Sequence, residues 1–159
     1  MKHSWWKVPA YCILAGWICF QLMVRVLGRF AIVTLPDGTI TSDNTRWILL
    51  SGLVFVAAVV VGGLVFFRRM TRRELLCSAS VMVALNAVGG LIAYKTSSTF
   101  SFFWMEIGEW SSFVSQLLFR MNVNEWVSAA ITWAVPLLFV LFGKKAVAKS
   151  EDKVVKYPS

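Results

Sequence analysis

"STFSFFWMEIGEWSSFVSQLLFRMN", Ser98 to Asn122, decides how many times this chain crosses a membrane. The stretch is aromatic enough to enter a bilayer, yet it carries Glu106, Glu109 and Arg120. In a lipid-exposed crossing each of these charges would cost on the order of a few kcal/mol near the centre. Phe103, Ile107, Trp110, Val114, Leu117 and Met121 recur every three or four positions, which is one continuous apolar stripe on a helix. Glu106, Glu109, Ser112, Gln116 and Arg120 lie off the stripe, with the acids early and the base late, as the helix dipole favours. The pattern predicts an external amphipathic helix over about 100–121, lying at the interface and docking over the outer mouth of whatever bundle the rest of the chain forms. Basic residues dominate such helices when anionic lipid attracts them, and here they do not.

The flanking sequence explains why a bundle is expected. With 58% hydrophobic residues in 159 and a mean hydropathy of +0.68, one small soluble core could not bury so much apolar surface. Lipid is the remaining apolar solvent. Crossing about 30 Å of hydrocarbon at 1.5 Å per residue takes roughly 20 residues, and four runs qualify: about 5–27, 47–67, 75–94 and 125–142. The second, Trp47 to Phe67, contains no charge at all. The first has a basic start, but Arg25, Gly28 and Arg29 follow it where a small-x-small cleavage site would stand, so it is read as a retained span rather than a signal peptide.

Local signals punctuate these spans. Ser4 is a candidate N-cap and Gly28 a candidate stop for the first, and Pro9 falls near its first turn. In "RFAIVTLPDGTITSDNTR" two short β-prone runs flank Pro36-Asp37-Gly38, which predicts a short external β-hairpin-like loop. Asn122 with Glu125 resembles a capping box opening the last span. Pro136 would break the bond to the Thr132 carbonyl and bend it. The third span offers small residues on two faces, Ser80, Ala84 and Ala87, then Gly89 and Ala93; Ala58 with Gly62-Gly63 gives a weaker small-xxx-small pattern in the second.

Charge sets the topology. With four crossings, one side holds Lys2, Lys7, Arg68, Arg69, Arg72, Arg73, Lys144, Lys145, Lys149, Lys153 and Lys156, against Arg29, Arg46, Lys95 and Arg120 on the other: eleven to four. A fifth crossing through the opening stretch would make the balance seven to eight and erase the positive-inside bias. The expected fold is therefore all-α: a four-transmembrane-helix bundle over 1–143 with both termini cytoplasmic, and a cytoplasmic basic tail over 144–159. The formal charge of +8 sits at the ends of apolar runs rather than on a soluble basic stripe, so nucleic acid is not an expected partner.

Candidate sites are few. Arg25 is the one charge well inside an apolar run, and Gln21 lies a turn before it; the pair reads as a binding site for an anionic head group or as an arginine snorkelling to the interface. Asn86 near the middle of the third span suits either an interhelical hydrogen bond or a polar path. Glu106 and Glu109 could act as paired carboxylates or form an ordinary solvated face. Arg68, Arg69, Arg72, Arg73, Lys144 and Lys145 could contact anionic lipid, although setting topology suffices to explain them. His3 falls on the side opposite the glutamates, so no metal site is expected. Cys12, Cys19 and Cys77 have no ligand or disulfide spacing and read as packing residues. There is no HExxH, GxSxG or phosphate loop, and no cofactor is expected.

The leading expectation is a non-enzymatic accessory, regulatory or assembly subunit that packs against another membrane protein or itself. The first alternative is a transport or pore component with a polar path near Arg25, Gln21 and Asn86. The second is a membrane-interface enzyme using Glu106 and Glu109.

Overall fold

The computed structural model describes residues 4–96 and 99–144. Lys2, His3, Lys145 and the rest of the basic tail lie outside the described residues. Among those described, four helices are long and apolar enough to cross a membrane: α1 (Lys7–Ala31), α2 (Asn44–Phe66), α3 (Arg72–Lys95) and one that closes the bundle, Glu125–Phe142. These four helices point to a membrane protein. Between the last two lie α4 (Thr99–Gly108), a 3-10 turn (Glu109–Ser111) and α5 (Ser112–Arg120); the Glu125–Phe142 helix is α6.

The helix starts are set by short polar side chains. Asp43 accepts hydrogen bonds from the Thr45 and Arg46 amides to open α2. Thr71 and Glu74 form a reciprocal capping box at the start of α3, satisfying amides that would otherwise lack partners. Ser4 contributes only its carbonyl, which accepts from Lys7 N–H at 3.2 Å; Trp6 occupies the cap position of α1. Nor do Asn122 and Glu125 form the expected box. Asn124 caps α6 through the Trp126 amide at 2.9 Å, and Asn122, at φ 53°, ends α5 instead. The Asn122 and Val123 amides donate back to the Phe119 and Leu118 carbonyls at 3.1 Å each, the bond pattern of a Schellman motif with asparagine in the left-handed position.

Gly28 does not stop the first helix, which runs on to Ala31 after a π-type turn at Met23–Leu27. Next come β1 (Ile32–Thr34) and β2 (Ile40–Ser42), antiparallel with Val33 opposite Thr41. Gly38 turns the chain at φ 84°, a backbone state that only glycine adopts at little cost. Asp37 anchors the tip by accepting from the Thr39 amide and hydroxyl at 3.0 and 2.7 Å, which holds its carboxyl below the usual carboxylate range.

Pro136 changes the last helix. From Val135 to Phe142 the chain winds as a 3-10 helix, whose rise of about 2 Å per residue stretches the 18 residues of α6 to about 31 Å, against about 27 Å for an α-helix. A short sequence thereby reaches bilayer thickness.

The bundle has two distinguishable ends. At the hairpin end, the Asp43 amide bonds to the Ala31 carbonyl and Arg120 reaches Thr45. At the opposite, basic end, the backbone of Met70, Arg72 and Lys144 is cross-bonded, and Arg72 Nε donates to the Gly143 carbonyl. Arg68, Arg69, Arg73 and Lys144 are exposed there.

The opening stretch does not run as one helix lying flat. α4 packs along α1, and α5 packs between α2 and α6. Ser101, near the entry of α4, bonds to the Ala93 carbonyl near the hairpin end of α3, and Arg120 returns to that same end. In between, the turn drops halfway down the bundle: Ile107 presses its backbone on Gly16, where a Cβ would collide. Trp110, 2% exposed, stacks on Phe55 from the middle of α2 and on Phe139 from α6. The periodic stripe is therefore buried only at its centre; Phe103, Leu117 and Met121 at its ends are exposed.

Candidate functional site

Inserting a broken helix halfway down leaves a cavity above the break. Its volume is about 540 Å³, within the range of small-molecule sites. The floor is the turn itself, Gly108 to Ser112; α3 contributes Asn86 and Gly90, α6 contributes Ala129, Thr132 and Trp133, and α4 contributes Trp104 and Met105. Tyr94, Glu125 and Trp126 line it nearer the hairpin end, where Tyr94 and Trp126 meet edge to face at 5.3 Å.

The helices can stand this close to each other because glycines face indoles. A Cβ on Gly89 would strike the Trp104 ring, and one on Gly90 would meet the Trp133 ring at 2.7 Å. The aromatic walls are thus held from behind by the small-residue face of α3.

Asn86 owes its position to Pro136. As the helix tightens, the Val135 amide takes the Thr132 carbonyl, so the bond expected to be lost there is replaced. The orphan moves one residue on: in the 3-10 pattern the Trp133 carbonyl would be met by the proline nitrogen, which has no hydrogen. Asn86 Nδ2 donates to that carbonyl at 3.4 Å, bridging α3 and α6.

Glu109 is half-buried on the floor. Ser112 donates its hydroxyl to Glu109 Oε1 at 3.2 Å, and Gln116 Nε2 lies 3.5 Å from the same hydroxyl oxygen. Glu109 lies outside the four apolar helices, and burial pushes its carboxyl up, with the Ser112 bond pulling partly back. Among the described residues the one ion pair is Arg46 with Asp43, so no described Lys or Arg is paired with Glu109. A second cavity of about 410 Å³ opens beside the first toward Asn44 and Arg120, sharing Ser115, Glu125 and Ala129 with it. Gln116 lines this second space with its Oε1 buried and without a hydrogen-bond partner.

Of the residues singled out in the sequence, Asn86 and Glu109 line one cavity. Gln21, half-buried, and Arg25, exposed, stand on α1 and line neither cavity; Glu106 also lies outside both. Glu106 and Glu109 therefore do not converge. Arg68, Arg69, Arg72, Arg73 and Lys144 gather at the basic end, away from the cavity. No group of three or more metal-ligating side chains occurs among the described residues. Sequence reasoning missed the serines of the turn, Gln116 and Glu125. The signal available was "GEWSS", a glycine and two serines breaking a helical stripe.

No family model matches the chain, and no curated protein or solved structure is similar to it.

Proposed function

We propose that this chain is a small multi-pass membrane protein that binds a solute from the outer side, as a component of transport. In this reading both termini face the cytoplasm, α4 and α5 form a re-entrant hairpin, and the cavity opens outward. The observation that carries it is the half-depth turn presenting Glu109, Ser111 and Ser112 to an open cavity opposite Asn86. Non-helical backbone at membrane depth is tolerated where it is buried in protein or lines a cavity, and intramembrane ionisable groups tend to mark solute paths. The exposed arginines of the basic end, with Trp5 and Trp6 beside them, suit the anionic inner leaflet.

Cysteine accessibility tests the topology and the cavity together. In a background without Cys12, Cys19 and Cys77, Ser112→Cys should react with a membrane-impermeant thiol reagent added to intact cells, as should Thr39→Cys. Lys144→Cys should react only after permeabilisation. A Ser112→Cys that stays unreactive while Thr39→Cys labels removes the outward-open cavity.

A second reading, assembly through helix packing, keeps one specific support. Gly62, Gly63, Gly89 and Gly90 are already covered by aromatic rings of the same chain, but Cys77, Ser80 and Ala84 remain exposed along one face of α3. Replacing Ser80 and Ala84 with Leu should shift the mass in mild detergent if that face is a contact, and leave it unchanged if the chain acts alone.

A further inference from the structure

We infer that the solute of this cavity is an organic monocation, an ammonium group on an aromatic or aliphatic body. The inference rests on the solute-binding reading above and adds the chemical class. Its basis is which hydrogen-bonding capacity the walls have already used. The five serine and threonine hydroxyls that line the main cavity all donate to the protein itself: Ser101 to the Ala93 and Thr96 carbonyls, Ser111 to Gly108, Ser112 to Glu109, Ser115 to the Ser112 carbonyl and Thr132 to Ser128. Asn86 directs one of its two amide hydrogens to the Trp133 carbonyl. Left uncommitted on the acceptor side are the second carboxylate oxygen of Glu109, the Asn86 amide oxygen and hydroxyl lone pairs; the donors left beside them, the indole N–H groups, the Tyr94 hydroxyl and the second Asn86 N–H, are all neutral. In the adjoining space Gln116 Oε1 is a buried acceptor with no donor.

The charged groups of this lining are carboxylates, and a carboxylate selects a ligand that donates and carries positive charge. An anion would face two carboxylates, since the described residues lining the main cavity include Glu109 and Glu125 but no Lys, Arg or His, and Arg120 lines only the adjoining space. An ammonium group would supply donors together with the missing positive charge, and charge-assisted bonds of this kind are about twice as strong as neutral ones. The remaining lining fits the body of such a molecule. Trp104, Trp126, Trp133 and Tyr94 supply aromatic rings, and a desolvated cation is attracted to the face of an indole. The neutralisation is mutual: a cation restores the ionised form of a carboxyl that burial disfavours.

The test uses the full-length protein in lipid nanodiscs and three probes of one shape: phenethylammonium, 2-phenylethanol and 3-phenylpropionate. Binding is read from tryptophan fluorescence and from protection of Ser112→Cys against labelling. The ammonium compound should bind about tenfold or more tightly than the alcohol, and the carboxylate should not protect. Glu109→Gln should abolish that preference while leaving the weak binding of the alcohol. The charge series on the unaltered protein decides the matter even if the variant does not fold. Equal binding of all three probes overturns the cation inference and leaves the cavity reading standing. Binding of none, with Ser112→Cys still labelled from outside, also overturns it. Failure of Ser112→Cys to label removes the cavity reading itself.

Discussion

The two halves of the bundle use aromatic side chains in opposite ways. Toward the basic end they meet: Phe67 and Phe139 lie 4.8 Å apart, Tyr11 packs edge-on against both, and Trp110 stacks on Phe139 at 5.7 Å. Gly62 makes room for Phe139 and Tyr11, Gly63 for Phe142, and the Tyr11 hydroxyl is satisfied by the Ala58 carbonyl at 2.6 Å. Toward the hairpin end, Trp104 and Trp133 rest on glycines of α3 and stand around a space instead of filling it. The difference lies in where the broken helix stops. Its turn puts Trp110 into the packed half and leaves Glu109 and Ser112 in the hollow one. The molecule is a cup with an aromatic base rather than a tube.

The sharpest way to break that contrast is to remove the base. Phe139 is fully buried and touches three rings, so Phe139→Ala should cost about 3–5 kcal/mol, seen as a lower unfolding temperature in detergent. If the cavity is bounded by this plug, the same change should also expose Ser112→Cys to reagent from the basic end. A loss below about 1 kcal/mol would mean that the rings do not form one packed unit.

Next in size is the contact that seats the broken helix. A Cβ on Gly16 would collide with the backbone of Ile107, whereas Gly108 has open space around it. Gly16→Ala should therefore cost about 1–3 kcal/mol by forcing α4 away from α1, while Gly108→Ala should change stability by no more than about 0.5 kcal/mol. Thermal unfolding of the two variants side by side checks this. Equal effects would show that the turn is not wedged against α1.

How far the sequence reveals this contrast depends on the range of the interactions involved. The four long helices are legible because about 20 consecutive apolar residues suffice to cross hydrocarbon, and Pro36-Asp37-Gly38 announces its turn locally. The fate of residues 98–122 is not legible in the same way. A stripe repeating every three or four residues shows only that one face is apolar, and lipid or α1 would satisfy it equally. The choice between them depends on Gly16 facing Ile107, Gly52 facing Phe113 and Gly89 facing Trp104, pairs too far apart in the chain for periodicity to register. Gln21 and Arg25 share with Asn86 only that all three interrupt apolar runs. Nothing local told which face of α1 would look toward α3. The orphan carbonyl of Trp133 was half legible: Pro136 announced a broken bond, but the 3-10 tightening moved the break by one residue.

Asn86 gives a smaller test, since its hydrogen bond to the Trp133 carbonyl bridges α3 and α6 across the hollow half. Asn86→Leu leaves the Trp133 carbonyl without its donor and should cost about 1 kcal/mol, while Asn86→Asp should lose the same bond and add a third carboxyl group to the cavity beside Glu109 and Glu125. The pair separates structure from selectivity. Both variants should unfold earlier, but only Asn86→Asp should bind phenethylammonium as well as or better than the unaltered protein.

The smallest effect belongs to the hairpin tip, outside both halves, and serves to show that the cavity is independent of it. The Thr39 bonds hold the Asp37 carboxyl below its ordinary range, and the unfolded reference is about 3.9. A folded value below the unfolded one means that the ordering of the tip is complete at neutral pH. It is lost as pH falls below about 4, through the lowered folded value. The Thr39 amide resonance should follow that titration in micelles, and Asp37→Asn should abolish it. Because Asp37 is fully exposed and lines neither cavity, the same variant should leave cation affinity and Ser112→Cys labelling unchanged. A change in either would mean that the hairpin covers the mouth of the cup, and the contrast would then be between a plugged end and a lidded one.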